Sequence, residues 1–149
     1  MSPITPATTA TAHHQQRLLA AVRTVICYLR TANPGTLGQR HLQRQHAKLH
    51  AACTARGWTV LEWVEDLHQS GATLQRTGLQ EALALLADHQ ADALLATEER
   101  SLAVDTATGS QLTTLAERQG WQLLSLTAIA RSPTLVDDHQ GRGHGGARQ

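Results

Sequence analysis

Four short apolar runs, separated by stretches with helical periodicity, constrain the fold of this chain more than any other feature. The runs cover residues 25–29, 58–64, 91–96 and 121–126. Apolar residues recur at helical spacing over residues 39–56, and Gly57 follows as a stop signal. A continuous apolar run is typical of a central strand covered on both faces. The sequence therefore predicts an α/β fold, a three-layer sandwich with a mainly parallel central sheet.

The length allows one such domain. The chain has 149 residues and 41% hydrophobic content, which is enough for a single core. We expect a flexible Thr/Ala-rich leader with a short helical lead-in at 1–21, the α/β domain at 22–128, and a flexible Gly-rich tail at 129–149. No run reaches membrane-spanning length and the leader lacks the order of a secretory signal. These features predict a cytoplasmic protein without membrane contact.

Cysteine and histidine residues suggest no cofactor. Cys27 lies in a predicted strand and Cys53 in a predicted helix, both among apolar residues, so we expect core thiols and no disulfide. His46, His50 and Cys53 have the helical spacing of a shared face, which could bind zinc. A fourth ligand is not evident, and we expect neither a metal nor another cofactor.

Charged residues follow the predicted strand ends, where α/β sheets of this kind place their sites. Arg30 and Asp66 come at the ends of the first two predicted strands. Arg76 comes just before the next predicted helix, and Arg100 just after the third predicted strand. We expect these four residues to converge on one depression, with the methyl group of Ala32 facing it. Arginine suits phosphate because its planar fork donates paired hydrogen bonds. Ordinary surface ion pairs are the alternative interpretation.

The segment around Ala32 resembles the catalytic domain of the serine recombinases, the resolvase and invertase family. In that family the first strand ends in Tyr-x-Arg-x-Ser, and the serine hydroxyl attacks a DNA phosphodiester. This chain has Tyr28-x-Arg30-x-Ala32 instead. A methyl group cannot attack phosphorus, so the resemblance implies the fold without the reaction.

Two further segments carry the resemblance, which covers roughly residues 24–125. Asp66 with Ser70 and Gly71 matches the family's Asp-x-x-x-Ser-Gly loop, and we expect residues 66–77 to form an exposed loop. Arg76 matches the arginine after this loop, and Arg100 matches the first arginine of the family's Asp-Arg-Leu-x-Arg motif. The DNA-phosphate-binding residues implied by the resemblance are Arg30, Arg76 and Arg100.

The departures from the family pattern fall on residues that carry chemistry. Besides Ala32, they are Glu99 for the motif aspartate, Ala103 for its second arginine and Thr36 for a glutamine. Thr31 offers no substitute hydroxyl, because neighbouring side chains in a strand point to opposite faces. Residues 129–149 match neither the family's subunit-pairing helix nor its helix-turn-helix. The resemblance therefore implies a vestigial site in which no catalytic residue is intact. Its positions are Arg30, Ala32, Asp66, Arg76 and Arg100.

We interpret the chain as a degenerate serine recombinase-like protein, inactive in strand cleavage, that acts as an accessory or regulatory protein of a plasmid, phage or other mobile element. The expected partners are DNA, contacted weakly and without sequence preference, and another recombinase-like protein. The formal net charge of +1 gives no strong field toward DNA. Two alternatives stay open: an active recombinase with a non-standard nucleophile, and an unrelated α/β interaction or metal-binding module.

Overall fold

A computed structural model of the chain describes residues 18–67 and 73–131. Its four strands form one parallel sheet in the order β2-β1-β3-β4. Their bounds are β1 Thr24–Thr31, β2 Thr59–Leu67, β3 Ala93–Ala96 and β4 Gln122–Ser125. The predicted α/β fold is confirmed, and the sheet is parallel throughout.

Helices connect the strands. After a helical turn at residues 18–20, they are α1 Gly35–Arg56, α2 Thr77–Ala87, α3 Glu99–Leu102, α4 Thr106–Gln119 and α5 Leu126–Arg131. The predicted stop after α1 is confirmed, because Gly57 has φ of +72° and closes the helix in the left-handed conformation. No helix in the described ranges combines the length and apolarity that a bilayer crossing would need.

The side chains of β1 alternate between two cores. Val25, Cys27 and Leu29 pack with α1, whereas Ile26 and Tyr28 pack with α2 and α4. All five side chains are inaccessible to solvent. Helices thus cover both faces of the sheet, and the three predicted layers are present.

The two cysteines meet in the core between β1 and α1. Both thiols are free and buried, with the Sγ atoms of Cys27 and Cys53 3.8 Å apart. This contact, together with burial, raises the pKa of the Cys27 thiol. The prediction of core thiols without a disulfide is confirmed.

Both described ends of the chain join the core on the α1 side. Leu19 and Val22 are buried there beside Ile129 of α5. Because Ile129 has an apolar surface to cover, the helix continues to Arg131, past the expected domain end at residue 128. The flexibility expected for the leader and tail concerns residues 1–17 and 132–149, which lie outside the described residues.

Candidate functional site

The parallel strands bring the predicted site residues to one edge of the sheet. Arg30 at the end of β1 lies directly beside Asp66 on β2. Arg100 lies in α3, which follows β3 closely at the same edge, and Arg76 immediately precedes α2. The structure therefore places all four predicted residues near one another.

Tyr28, Asp66 and Arg76 form a buried network at this edge. The Tyr28 hydroxyl donates to Asp66 Oδ2 at 2.6 Å and accepts from Arg76 Nη1 at 3.1 Å. Arg76 is 0% exposed and Asp66 is 3% exposed. Burial, and then the hydrogen bond to Asp66, raise the pKa of Tyr28 well above its ordinary value. We call these three residues the buried network.

Asp66 also caps α2. Its Oδ1 accepts from the Gly78 N–H at 2.7 Å and its Oδ2 from the Leu79 N–H at 2.9 Å. A carboxylate at a helix N-terminus satisfies free N–H groups and interacts favourably with the helix dipole. A Cβ at Gly78 would lie 2.7 Å from Asp66 Oδ1, so the close approach depends on glycine.

The expected exposed loop over residues 66–77 is wrong at both ends. Asp66 is still part of β2 and Arg76 is fully buried, because each side chain bonds groups that are distant in sequence. The centre of the loop, with Ser70 and Gly71, lies outside the described residues.

The guanidinium of Arg76 is surrounded by protein acceptors. Its Nε donates to the carbonyl of Thr73 at 2.7 Å, its Nη1 to that of Ser101 at 3.1 Å, and its Nη2 to that of Leu102. The same group lies over the Tyr28 ring, 5.6 Å from its centroid. In this arrangement Arg76 joins the start of α2 to α3, and its role in phosphate binding stays a prediction.

Arg30 and Arg100 differ in exposure. Arg30 is half-buried, and donates through Nε to the Ser101 carbonyl at 3.0 Å and through Nη2 to the Arg100 carbonyl at 2.7 Å. Burial, followed by the nearby charge of Arg76, lowers the pKa of Arg30. The Arg100 side chain is exposed. At this edge the Arg100 side chain is therefore accessible to solvent, whereas the Arg30 guanidinium is partly used in hydrogen bonds to backbone carbonyls.

Gln45 of α1 holds the end of β1, a role that the sequence did not indicate. Its Oε1 accepts from the Arg30 N–H at 3.1 Å and its Nε2 donates to the Arg30 carbonyl at 2.9 Å. The amide thus pairs with Arg30 as a neighbouring strand would, at a point beyond the described β1–β3 pairing. A polar residue on a helix gives no local signal of such a contact.

Ala32 is exposed in the turn after β1. Thr31 is buried on the α1 side, where its Oγ1 accepts from the Asn33 N–H at 3.1 Å and lies 3.5 Å from His41 Nδ1. Thr31 therefore points to the face opposite Arg30, in line with strand alternation.

Two of the other expected departures from the family pattern, Glu99 and Ala103, lie in α3 and directly after it. Glu99 pairs with Arg131 at 2.7 Å and lies 3.4 Å from the Thr127 hydroxyl, so it faces α5. Burial raises the pKa of Glu99, but the hydrogen bond and charge of Arg131 outweigh this effect and lower it overall. Ala103 packs against the core.

The spacing of His46, His50 and Cys53 does not produce a metal centre. His46 stacks on Trp63 with ring centroids 3.9 Å apart, whereas Cys53 points into the core toward Cys27. Within residues 18–67 and 73–131, no three His, Cys, Asp or Glu side chains are grouped to hold a metal ion. The helical pattern is explained by packing.

Comparison with solved structures shows the same fold in serine recombinases. The catalytic domain of ISC1926 TnpA, an IS607-like serine recombinase, is 24% identical over 69% of this chain and 70% of its own, with a TM-score of 0.61. The catalytic domain of TP901-1 integrase is 20% identical over 71% of this chain and 78% of its own, with a TM-score of 0.63. A resolvase family site-specific recombinase from Streptococcus pneumoniae is 13% identical over 85% of this chain and 92% of its own, with a TM-score of 0.62.

Family membership comes from the sequence. No curated protein matches the chain. The family model described as the resolvase N-terminal domain matches residues 25–141, which is more than half of the chain. This match includes the whole strand edge described above, and the chain belongs to the resolvase family of serine recombinases.

Proposed function

We propose that this chain is a degenerate serine recombinase that does not cleave DNA and acts as an accessory or regulatory protein of a plasmid, phage or other mobile element. One observation carries the proposal. At the turn after β1, beside Arg30, the exposed residue is Ala32, and the adjacent hydroxyl of Thr31 lies on the opposite face. A phosphoserine link needs an oxygen nucleophile, which the methyl group of Ala32 cannot supply and which Thr31 holds on the opposite face.

The cations at the edge support the same proposal. Stabilising a transferring phosphoryl group needs several positioned positive charges. Arg76 is held by backbone carbonyls, and Ala103 contributes no charge where the family motif has a second arginine. Losing one member of a cooperating catalytic set typically lowers the rate on the order of 10⁴-fold, and two members are affected here.

Arg30 and Arg100 would still contact a DNA backbone. Two cations at one edge support weak binding without sequence preference, and Arg76 could join them only by leaving its carbonyl partners. Such a protein would act in the cytoplasm on DNA already engaged by another recombinase-like protein.

The test is a search for covalent protein–DNA intermediates. Supercoiled plasmid is incubated with the protein and analysed for nicks and for protein attached to DNA ends after denaturation. We expect neither with the natural chain. We also expect neither with Ala32→Ser, because the second arginine position stays uncharged. Protein covalently attached to a 5′ end would contradict the proposal and favour the alternative of an active enzyme with another nucleophile.

A further inference from the structure

The charged residues of helix α1 are all basic. Within α1 lie Arg40, Arg44, Lys48 and Arg56, and the 22 residues of this helix include no Asp or Glu. The chain has 13 Lys and Arg against 12 Asp and Glu, so outside α1 nine basic residues face twelve acidic ones. The near-neutral total hides a basic helix on an otherwise acidic molecule.

Three of these cations form a line on the outer face of the helix. Arg40, Arg44 and Lys48 are four residues apart and all exposed, while Leu42 and Leu49 point into the core. At a rise of about 1.5 Å per residue, the three side chains begin within about 12 Å of helix length. We call them the basic stripe.

The basic stripe has no partner in the described part of the protein. The single ion pair between described residues joins Glu99 and Arg131, and no hydrogen bond between described residues involves the stripe side chains. Like charges four residues apart on a helix repel and destabilise it. A solvated surface helix usually offsets such charges with acidic neighbours, so this arrangement favours an external anion.

The surroundings of the stripe indicate the kind of anion. Ala47 and Ala51 lie beside it, and Leu37 is the one exposed large apolar side chain on α1 among the described residues. Protein interfaces rely on clusters of large anchoring side chains, and membrane-surface helices need a broad apolar face. A DNA duplex needs neither, and it presents about seven phosphates in about 12 Å of length.

We propose that the basic stripe on α1 is a docking surface for the phosphate backbone of duplex DNA. It goes beyond the proposed function because it is separate from the strand-edge arginines and does not depend on whether the chain cleaves DNA. α1 begins directly after β1, so the stripe starts near the edge that carries Arg30 and Arg100. A bound duplex could therefore follow the helix and reach this edge.

The experiment measures binding of a fluorescent duplex of arbitrary sequence by anisotropy, across a series of salt concentrations. The variant carries Arg40→Gln, Arg44→Gln and Lys48→Gln together. A matched control carries Arg23→Gln, Arg118→Gln and Arg131→Gln, which removes the same charge from three other exposed sites. A second pair, Arg30→Gln with Arg100→Gln, measures the strand edge separately.

We expect each removed stripe cation that pairs with a phosphate to weaken binding about tenfold at low salt. The slope of log K against log salt should flatten by roughly 2.7, at about 0.9 per neutralised phosphate. The thermal midpoint of the stripe variant should not fall, because the substitutions remove like-charge repulsion. The control triple should retain most of the affinity and slope.

Equal decreases in affinity for the stripe and control triples would overturn the docking surface, since binding would then follow net charge alone. An unchanged affinity in the stripe variant would overturn it as well. So would preferential binding to polyglutamate of equal charge over duplex DNA, which would indicate an acidic protein partner. None of these outcomes bears on strand cleavage, which the covalent-intermediate assay tests separately.

Discussion

At the carboxyl edge of the sheet, Tyr28, Asp66 and Arg76 lie inside the protein and bond one another, while Ala32 and Arg100 at the same edge face solvent. All five fall on positions of one family motif set, and four of them, all except Ala32, match it. Three of the residues that match the family are held inside the protein by helix capping and hydrogen bonds, whereas Arg100 and the expected nucleophile position, which holds alanine, are exposed. A motif can thus persist because part of it holds the fold together, and its presence alone is no proof of chemistry.

Among the substitutions that test this comparison, we expect the largest change in the free energy of unfolding at Asp66. Asp66→Ala removes the cap of α2 and the buried carboxylate linked to Arg76 through Tyr28. Because it leaves a buried guanidinium uncompensated, we expect a loss of about 3–5 kcal/mol in the free energy of unfolding. Urea denaturation measures this loss. Glu99→Ala, which breaks the exposed pair with Arg131, is the matched control and should cost about 1 kcal/mol or less.

A smaller effect sharpens the role of the tyrosine hydroxyl. Tyr28→Phe keeps the ring in place but deprives Asp66 Oδ2 of a donor and Arg76 Nη1 of an acceptor. We expect a loss of about 1–3 kcal/mol in urea denaturation, the usual range for buried polar groups left without a partner. An unchanged midpoint would mean that the buried network contributes nothing through this hydroxyl.

The smallest effect is a pH dependence specific to one residue. Tyr28 is the sole tyrosine, so tyrosinate absorbance reports it alone. Burial, and then the hydrogen bond to Asp66, raise its pKa in the folded protein. The contribution of the protonated Tyr28 hydroxyl to the free energy of unfolding is complete below the pKa of about 10 that tyrosine has in the unfolded chain. It declines as the pH rises above that value. We expect tyrosinate to form only together with alkaline unfolding, and tyrosinate formation near pH 10 in still-folded protein would contradict this.

Sequence periodicity was sufficient to predict the four strands, the first long helix and its stop at Gly57. It failed where a side chain's partner is distant in the chain. Arg76 is buried because the carbonyls of Ser101 and Leu102 approach it from α3, and its charge in the sequence indicated exposure instead. The hydrogen bonds of the Gln45 side chain to the backbone of Arg30 are also between residues distant in the chain, 15 positions apart.

The basic stripe escaped prediction for a different reason. The formal charge of +1 averages over the whole chain, whereas the electrostatic field of a surface depends on local charge. Arg40, Arg44 and Lys48 become a surface only when Leu42 and Leu49 fix which side of α1 faces the sheet. Taking charge helix by helix would have found it.

We claim that the strand edge consists of buried residues that hold the fold together and exposed residues that do not. The most direct test compares two substitutions, Arg76→Gln and Arg100→Gln, by urea denaturation. Each removes one arginine of the same family motif set. We expect Arg76→Gln to lose roughly 3 kcal/mol or more, because glutamine cannot satisfy the carbonyls of Ser101 and Leu102 together. Arg100→Gln should change stability by about 0.5 kcal/mol or less, as exposed substitutions do. Equal losses, or a larger loss for Arg100→Gln, would contradict this claim.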